Sequence, residues 1–241
     1  MDALRRLRRE LSRDERFRQQ FVREPLVVRI FGHERTLYLA VSLVEGRELR
    51  EILVTERRLA PERALRLLAQ VAATLDDGHK AGLVHRDVKP ANILVASGER
   101  GEERAYVCDL DLERHAPARA VGYISPEEIS GAAVDGRADV YSLGSVLFEC
   151  LTGQRPFVRE TDLAVVFAHL HDPPPRLSET RPRFPSALDD VFARALAKEP
   201  QDRYGSCSEL VAAASAALSG SRLQRPRVPR RRLTRRENSG S

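Results

Sequence analysis

Apolar and polar positions along this chain follow two periods, and the dominant period changes part-way. Between Leu4 and Phe21, apolar side chains stand at Leu4, Leu7, Leu11, Phe17 and Phe21 with Arg and Glu between them. That spacing is mostly helical. Ser12 or Asp14 suits the cap of such a helix. Pro25 stops it at Glu24, because the residue before a proline is pushed out of the helical region. Residues 26–31 and 36–44 read as two strands around a turn at 32–35. An amphipathic helix follows over 61–77, starting after Pro61. Residues 93–96 and 104–108 bracket Ser97-Gly98-Glu99-Arg100-Gly101, a polar hairpin. Beyond Ser125 the helical period takes over at 140–151, 162–171, 187–198 and 208–218, with a proline-rich connector over 172–185. No internal repeat is visible. A few strands first and many helices later predict an α+β protein in two lobes.

The most specific chemistry lies in one octapeptide, His85-Arg86-Asp87-Val88-Lys89-Pro90-Ala91-Asn92. Asp87 is suited to accept a proton from a hydroxyl, Lys89 to neutralise a charged transferring group, and Asn92 to hold a hard cation through its carbonyl oxygen. Positioning and charge stabilisation of this kind are what phosphoryl transfer needs. Asp109-Leu110-Asp111 follows, so a second cation ligand is at hand. Taken singly, a loop Asp or Asn often just caps a turn. It is the ordered set that points to chemistry.

The octapeptide resembles the catalytic loop of protein kinases, and the Lys two residues after the Asp resembles the serine/threonine class, with a bacterial receptor-type flavour. The resemblance runs from about residue 3 to about residue 218. Tyr106-Val107-Cys108-Asp109-Leu110-Asp111 stands where the family has its magnesium-binding strand. Gly122-Tyr123-Ile124-Ser125-Pro126-Glu127 resembles the end of the activation segment, Asp139-Val140-Tyr141-Ser142-Leu143-Gly144 the start of a large buried helix, and Asp202-Arg203-Tyr204 the late Arg segment. The resemblance implies that Asp87 orients the substrate hydroxyl, Lys89 steadies the transferring phosphate, and Asn92 with Asp109 holds Mg²⁺. It implies a structural frame from His85, Arg86, Glu127, Asp139 and Arg203, with Arg203 pairing Glu127. For ATP it implies Val41 as gatekeeper, the backbones of Ser42 and Val44 at the adenine, Leu94 below the ring and Ala3 above it.

Several positions depart from that family. There is no Gly before Gly32, so the Gly-rich loop over the phosphates is absent from the sequence. If residues 3–7 align with the family's lysine strand, Arg5 takes the Lys position, a change that is not conservative. Glu24 then takes the place of the helix Glu, with Pro25 directly behind it. The competing reading of residues 1–24, and the favoured one, is an amphipathic helix packed on the remaining lobe. No Ser or Thr lies between Leu110 and Ile124, Ala120 stands where a threonine is usual, and Asp111 replaces a Gly. Tyr123 reads as a packing residue rather than a phosphorylation site.

Composition then sets bounds. At 241 residues and 42% hydrophobic the chain can bury a real core. A complete kinase domain is longer, so a shortened N-terminal lobe over 1–44 is expected before a helical lobe over 45–218, with a lobe continuing upstream of Met1 as the other possibility. Residues 219–241 carry eight Arg against one Glu, so with a net charge of +5 the preceding chain sums to −2. The tail reads as disordered, either a solvated linker remnant or an arm for an anionic surface or nucleic acid. Cys108, Cys150 and Cys207 sit in apolar stretches without metal-type spacing and read as buried thiols in a reducing compartment. No apolar run is long enough to span a bilayer and no signal-type start is visible, so the expected location is cytoplasmic. The expected activity is Mg²⁺-dependent transfer of the ATP γ-phosphoryl group to the hydroxyl of a Ser or Thr in a protein substrate that the sequence does not name. The rival class is a pseudokinase that acts as a binding or scaffold module.

Overall fold

The computed structural model describes residues 2–7, 27–33, 36–42, 46–98, 101–108 and 121–223. Three strands form the first sheet: β1 (Asp2–Leu7), β2 (Val27–His33) and β3 (Thr36–Ser42), antiparallel in the order β1-β3-β2. Residues 2–7 thus correct the helical reading of the N-terminus. The apolar spacing there rested on Leu4 and Leu7 alone. β3 has two edges, β2 occupies one, and β1 satisfies the hydrogen-bonding groups of the other, from Asp2 opposite Ser42 to Leu7 opposite Leu37. Sheet pairing overrides a weak local period. Ser12, Asp14, Glu24, Pro25 and Val44 lie outside the described residues.

A second antiparallel sheet joins β4 (Arg47–Glu48), β5 (Ile93–Ser97) and β6 (Glu103–Val107). The predicted hairpin is β5–β6, in register from Ile93 opposite Val107 to Ser97 opposite Glu103. Gly46 lets the chain approach β5 closely, since a Cβ there would stand 2.9 Å from the Val95 carbonyl oxygen.

The helical part begins with α1 (Leu49–Glu56), which the apolar spacing of the sequence does not predict. Its apolar face is only Leu49, Ile52 and Leu53, all buried. α2 (Pro61–Lys80) starts on its proline and buries Ala64, Leu67, Leu68, Val71, Ala72 and Leu75, the expected 3.6-residue face. α3 (Pro126–Ser130) is a single short turn held by a capping box between Ser125 and Glu128. α4 (Arg137–Thr152) is buried on nearly every side. Then follow α5 (Asp162–His171), α6 (Leu177–Thr180) inside the proline-rich connector, α7 (Ala187–Ala195) and α8 (Cys207–Leu223). α7 ends three residues short of its expected limit, because Pro200 holds Glu199 extended and leaves Leu196 as the C-cap.

α2 is the organising helix of the core: it packs on α8, on β6 and on α4, while α7 packs on α8. Phe148 of α4 meets Phe192 of α7 edge to face at 5.2 Å. Cys150 and Cys207 are buried in this core, whereas Cys108 is only half-buried, at the end of β6. Among the described residues no helix is long and apolar enough to cross a membrane.

Candidate active site

The octapeptide closes between α2 and β5. Its last residues form one 3₁₀ turn, Pro90–Asn92, which leads directly into Ile93 of β5. Lys89 Nζ donates to Asp87 Oδ2 at 2.6 Å. Asn92 Nδ2 donates to the Asp87 backbone oxygen at 2.8 Å and to Asp87 Oδ2 at 2.9 Å. A backbone carbonyl only accepts, so the Asn92 amide orientation is determined. With its nitrogen committed to Asp87, the carbonyl oxygen is the atom Asn92 can offer a cation. Asp87, Lys89 and Asn92, chosen from the sequence, are therefore brought together within hydrogen-bonding distance.

What holds this loop is a buried carboxylate on α4. Asp139 is fully buried. Its Oδ2 accepts from the His85 backbone N–H and its Oδ1 from the Arg86 N–H, both at 2.8 Å. Two successive N–H groups converge on one anion when one residue turns left-handed, and Arg86 has φ of +66°. For a residue with a side chain that conformation costs on the order of 1–3 kcal/mol, so the loop keeps it only because Asp139 compensates. A third donor, His79 Nε2 on the last turn of α2, lies 2.7 Å from Asp139 Oδ2.

The loop also grips Cys108, which follows β6 and precedes the second metal candidate in the sequence. Cys108 N–H donates to the Asn92 carbonyl oxygen at 2.8 Å, and His85 Nε2 lies 3.1 Å from the Cys108 carbonyl oxygen. Since that carbonyl accepts, His85 Nε2 carries the proton, and Nδ1 is left to accept the Asp87 N–H at 3.3 Å. Cys108 is thus clamped on both sides to the catalytic-loop candidate. Asp109, the next residue, lies outside the described residues, as do Asp111 and Ala120.

The remaining predicted positions separate into groups. Leu94 lies in β5 opposite Glu48 and Tyr106, and is partly buried. Ala3 and Arg5 lie on β1, opposite Val41 and Leu39 of β3, with Ser42 at the end of β3. The strand at 2–7 therefore favours the lysine-strand alignment over the helical alternative. Glu127 and Arg203 are both buried and form a forked pair, with Nη1 to Oε1 and Nη2 to Oε2 at 2.7 Å each. The other Arg203 donors reach the carbonyls of Ala197, Arg137 and Lys198, so all five are used. Tyr123 donates from its hydroxyl to Glu149 Oε2 at 2.5 Å, and burial pushes that phenol above its usual range. A group held this way is a packing and anchoring residue, as its context in the sequence implied.

Sequence reasoning missed His79, Asp76 and Glu149. Asp76 accepts the N–H groups of Cys207 and Ser208 at 2.8 and 3.0 Å, anchoring the first turn of α8. The available signal was a pair of polar residues three apart at the edge of the apolar face of α2. Asp76, His79 and Cys207 place a carboxylate, an imidazole and a thiol within 4.8 Å of one another. The set does not suit a metal ion. Both Asp76 oxygens already accept backbone N–H groups, and burial holds the Cys207 thiol well above its usual range.

Comparison with known proteins agrees with this geometry. A family model described as the protein kinase domain matches residues 3–214. The serine/threonine-protein kinase PknJ of Mycobacterium tuberculosis is 37% identical over 243 residues, covering 91% of this chain and 41% of that protein. PknE of the same organism is 39% identical over 239 residues, covering 90% of this chain and 41% of that protein. The chain thus spans about two-fifths of the length of these curated relatives. Among solved structures, a variant of the PknI kinase domain of Mycobacterium tuberculosis superposes with a TM-score of 0.64 at 32% identity, over 90% of this chain and 84% of that one. With the predicted two-lobe α+β fold, the ordered loop and a match over most of its length, this chain belongs to the protein kinase family.

Proposed function

We propose that this domain transfers the γ-phosphoryl group of ATP to a serine or threonine hydroxyl of a protein. The observation that carries the proposal is the Asp87 carboxylate, gripped by Lys89 and Asn92 on a loop whose backbone is pinned to buried Asp139. Asp87 orients the substrate hydroxyl and accepts its proton at a carboxylate oxygen. Lys89, already beside that carboxylate, answers negative charge on the transferring group. Asn92 and Asp109 supply oxygen atoms suited to a magnesium ion. Bound ATP and magnesium supply the phosphoryl group and neutralise its charge. For the adenine site we assign Ala3, Val41 and Leu94, with Ser42 and Val44 as the hinge positions, and for the phosphate clamp Arg5 and Glu24, all from the family resemblance. We place the boundary between the lobes at residues 44 and 45. The serine/threonine preference is supported by Lys89 two residues after Asp87 and by the names of the relatives. A reducing, cytoplasmic setting is supported by three cysteines that form no disulfide.

Two measurements test this reading. Radiolabelled γ-phosphoryl from ATP is expected in phosphoserine or phosphothreonine of a basic protein acceptor, and label in phosphotyrosine alone contradicts the assignment. In a thermal-shift titration, ATP with Mg²⁺ is expected to raise Tm more than ATP with EDTA, and Asn92→Ala is expected to remove most of that difference. An equal shift with and without Mg²⁺ contradicts the metal assignment.

A further inference from the structure

We propose that Arg155 selects the protein substrate: its guanidinium binds an acidic side chain carried within about five residues of the serine or threonine that is phosphorylated. The proposal rests on the kinase reading above and narrows it to a substrate class. Arg155 is half-buried, just beyond the C-terminus of α4. Its backbone is fixed on both sides: the Gln154 N–H donates to Thr152 Oγ1 at 3.1 Å, and Pro156 and Phe157 are buried. Its side chain turns onto buried Gly122, where a Cβ would stand 2.5 Å from Arg155 Nη1 and 2.6 Å from its Cδ. Glycine at 122 leaves the room that the guanidinium occupies. Among the described residues Arg155 donates no hydrogen bond and forms no ion pair. The contrast is with Arg159, which pairs with Asp172, and with Arg203, whose donors are all used.

The carboxylate that feels this cation does not use it up. Glu149 Oε2 accepts the Tyr123 hydroxyl, and burial, the largest influence on it, holds the Glu149 carboxyl above the usual carboxylate range. An acceptor from outside completes Arg155, and a planar carboxylate or a phosphate matches the guanidinium fork. The helix α4 places this cation near the chemistry. Asp139, Ser142 and Glu149 share one face of it, because offsets of three and ten residues return to nearly the same bearing. Asp139 holds the Asp87 loop, Ser142 Oγ donates to the Tyr123 carbonyl at 2.8 Å, and Glu149 holds the Tyr123 hydroxyl. Residues 122–123 therefore run along the same helix face as the loop, within about 15 Å of the level of Asp139. An extended peptide rises about 3.3 Å per residue, so a substrate whose hydroxyl meets Asp87 crosses that span in about five residues.

The test uses peptides with one serine in an alanine-rich sequence, with aspartate, phosphoserine or lysine placed in turn at each neighbouring position on either side. For the wild type, kcat/KM for the best acidic peptide is expected to exceed that of the parent peptide about tenfold or more. Arg155→Met keeps the apolar stem and loses the charge, and the ratio is expected to fall close to one. Arg155→Glu is expected to favour lysine at the same position. Gly122→Ala pushes the guanidinium aside without removing it, and is expected to reduce the ratio as well. A ratio taken within each variant is independent of any general loss of activity. Whether aspartate or phosphoserine is preferred separates an acidic sequence from a substrate already phosphorylated. A wild type indifferent to acid at every position overturns the proposal, and so does a preference that survives in Arg155→Met. A wild type that transfers phosphate to no peptide overturns the kinase reading instead, and fluorescence anisotropy with labelled aspartate and parent peptides then decides the role of Arg155. Tighter binding of the aspartate peptide by the wild type but not by Arg155→Met supports it, and equal binding of both peptides by the wild type overturns it.

Discussion

At the scale of single residues, the structure rewards pairs whose geometry leaves nothing unsatisfied. Arg203 spends all five donors, two on Glu127 and three on backbone carbonyls, and its guanidinium lies 4.8 Å from the Tyr141 ring centroid. Lys has no fork and cannot reproduce this. Arg203→Met leaves Glu127 buried without a cation, and the expected loss is about 3–5 kcal/mol in urea denaturation. Adding Glu127→Gln to Arg203→Met is expected to recover part of that loss, because the stranded charge is removed. A double variant less stable than Arg203→Met contradicts the account. This pair was legible in the sequence, since both members sit in recognisable strings, and so were Asp87, Lys89 and Asn92. His79 was not. It falls on an amphipathic helix, where periodicity alone assigns a polar residue to the solvent face, and only the fold shows a buried carboxylate opposite it.

Elements tell a similar story through their ends. α5 terminates on a cation: Lys198 Nζ donates to the carbonyls of Ala168 and His169 at 3.1 and 2.8 Å, satisfying two of the groups that a helix C-terminus leaves open. Burial pushes that ammonium down to about 8. On the same helix, His169 is fully buried between Tyr141, whose hydroxyl lies 2.8 Å from Nδ1, and the Phe157 ring. Its Nε2 finds no hydrogen bond of good geometry among the described residues, and the Gly122 backbone favours its charge only weakly. Burial first, and then the charge of Lys198, lower its pKa to about 4. The unfolded chain takes up this proton near pH 6.5 and the folded chain only near 4, so stability is intact above about 6.5 and falls as pH drops through that window. His169→Gln keeps a partner for Tyr141 and removes the titration. Its Tm is expected to fall less between pH 7 and pH 4 than that of the wild type, and equal slopes contradict the assignment. Helices with a long apolar face, such as α2, could be read directly from spacing. α1 was missed because eight residues with three buried side chains give too little period to see. β1 was misread because a sheet edge supplied hydrogen bonds that no local pattern records.

At the scale of the molecule, the order of elements carried the architecture: two three-stranded sheets precede the bulk of the helices, as expected for an α+β kinase fold. The candidate catalytic residues gather on one loop between α2 and β5, and that loop is fastened to two other parts of the chain. Asp139 holds its start from α4, Cys108 joins it at the end of β6, and His79 supports Asp139 from α2. Long-range fastening of this kind explains why the motif was readable while its geometry was not: the strings are local, but their partners are separated by as many as 54 residues. The central claim is that the Asp87 carboxylate carries the chemistry of this loop. The most direct measurement is the rate of γ-phosphoryl transfer from ATP in the presence of Mg²⁺ by the wild type and by Asp87→Asn, with Tm recorded for both. The account predicts a loss of at least about a hundredfold in kcat at closely similar Tm. Equal rates for the two proteins would contradict it.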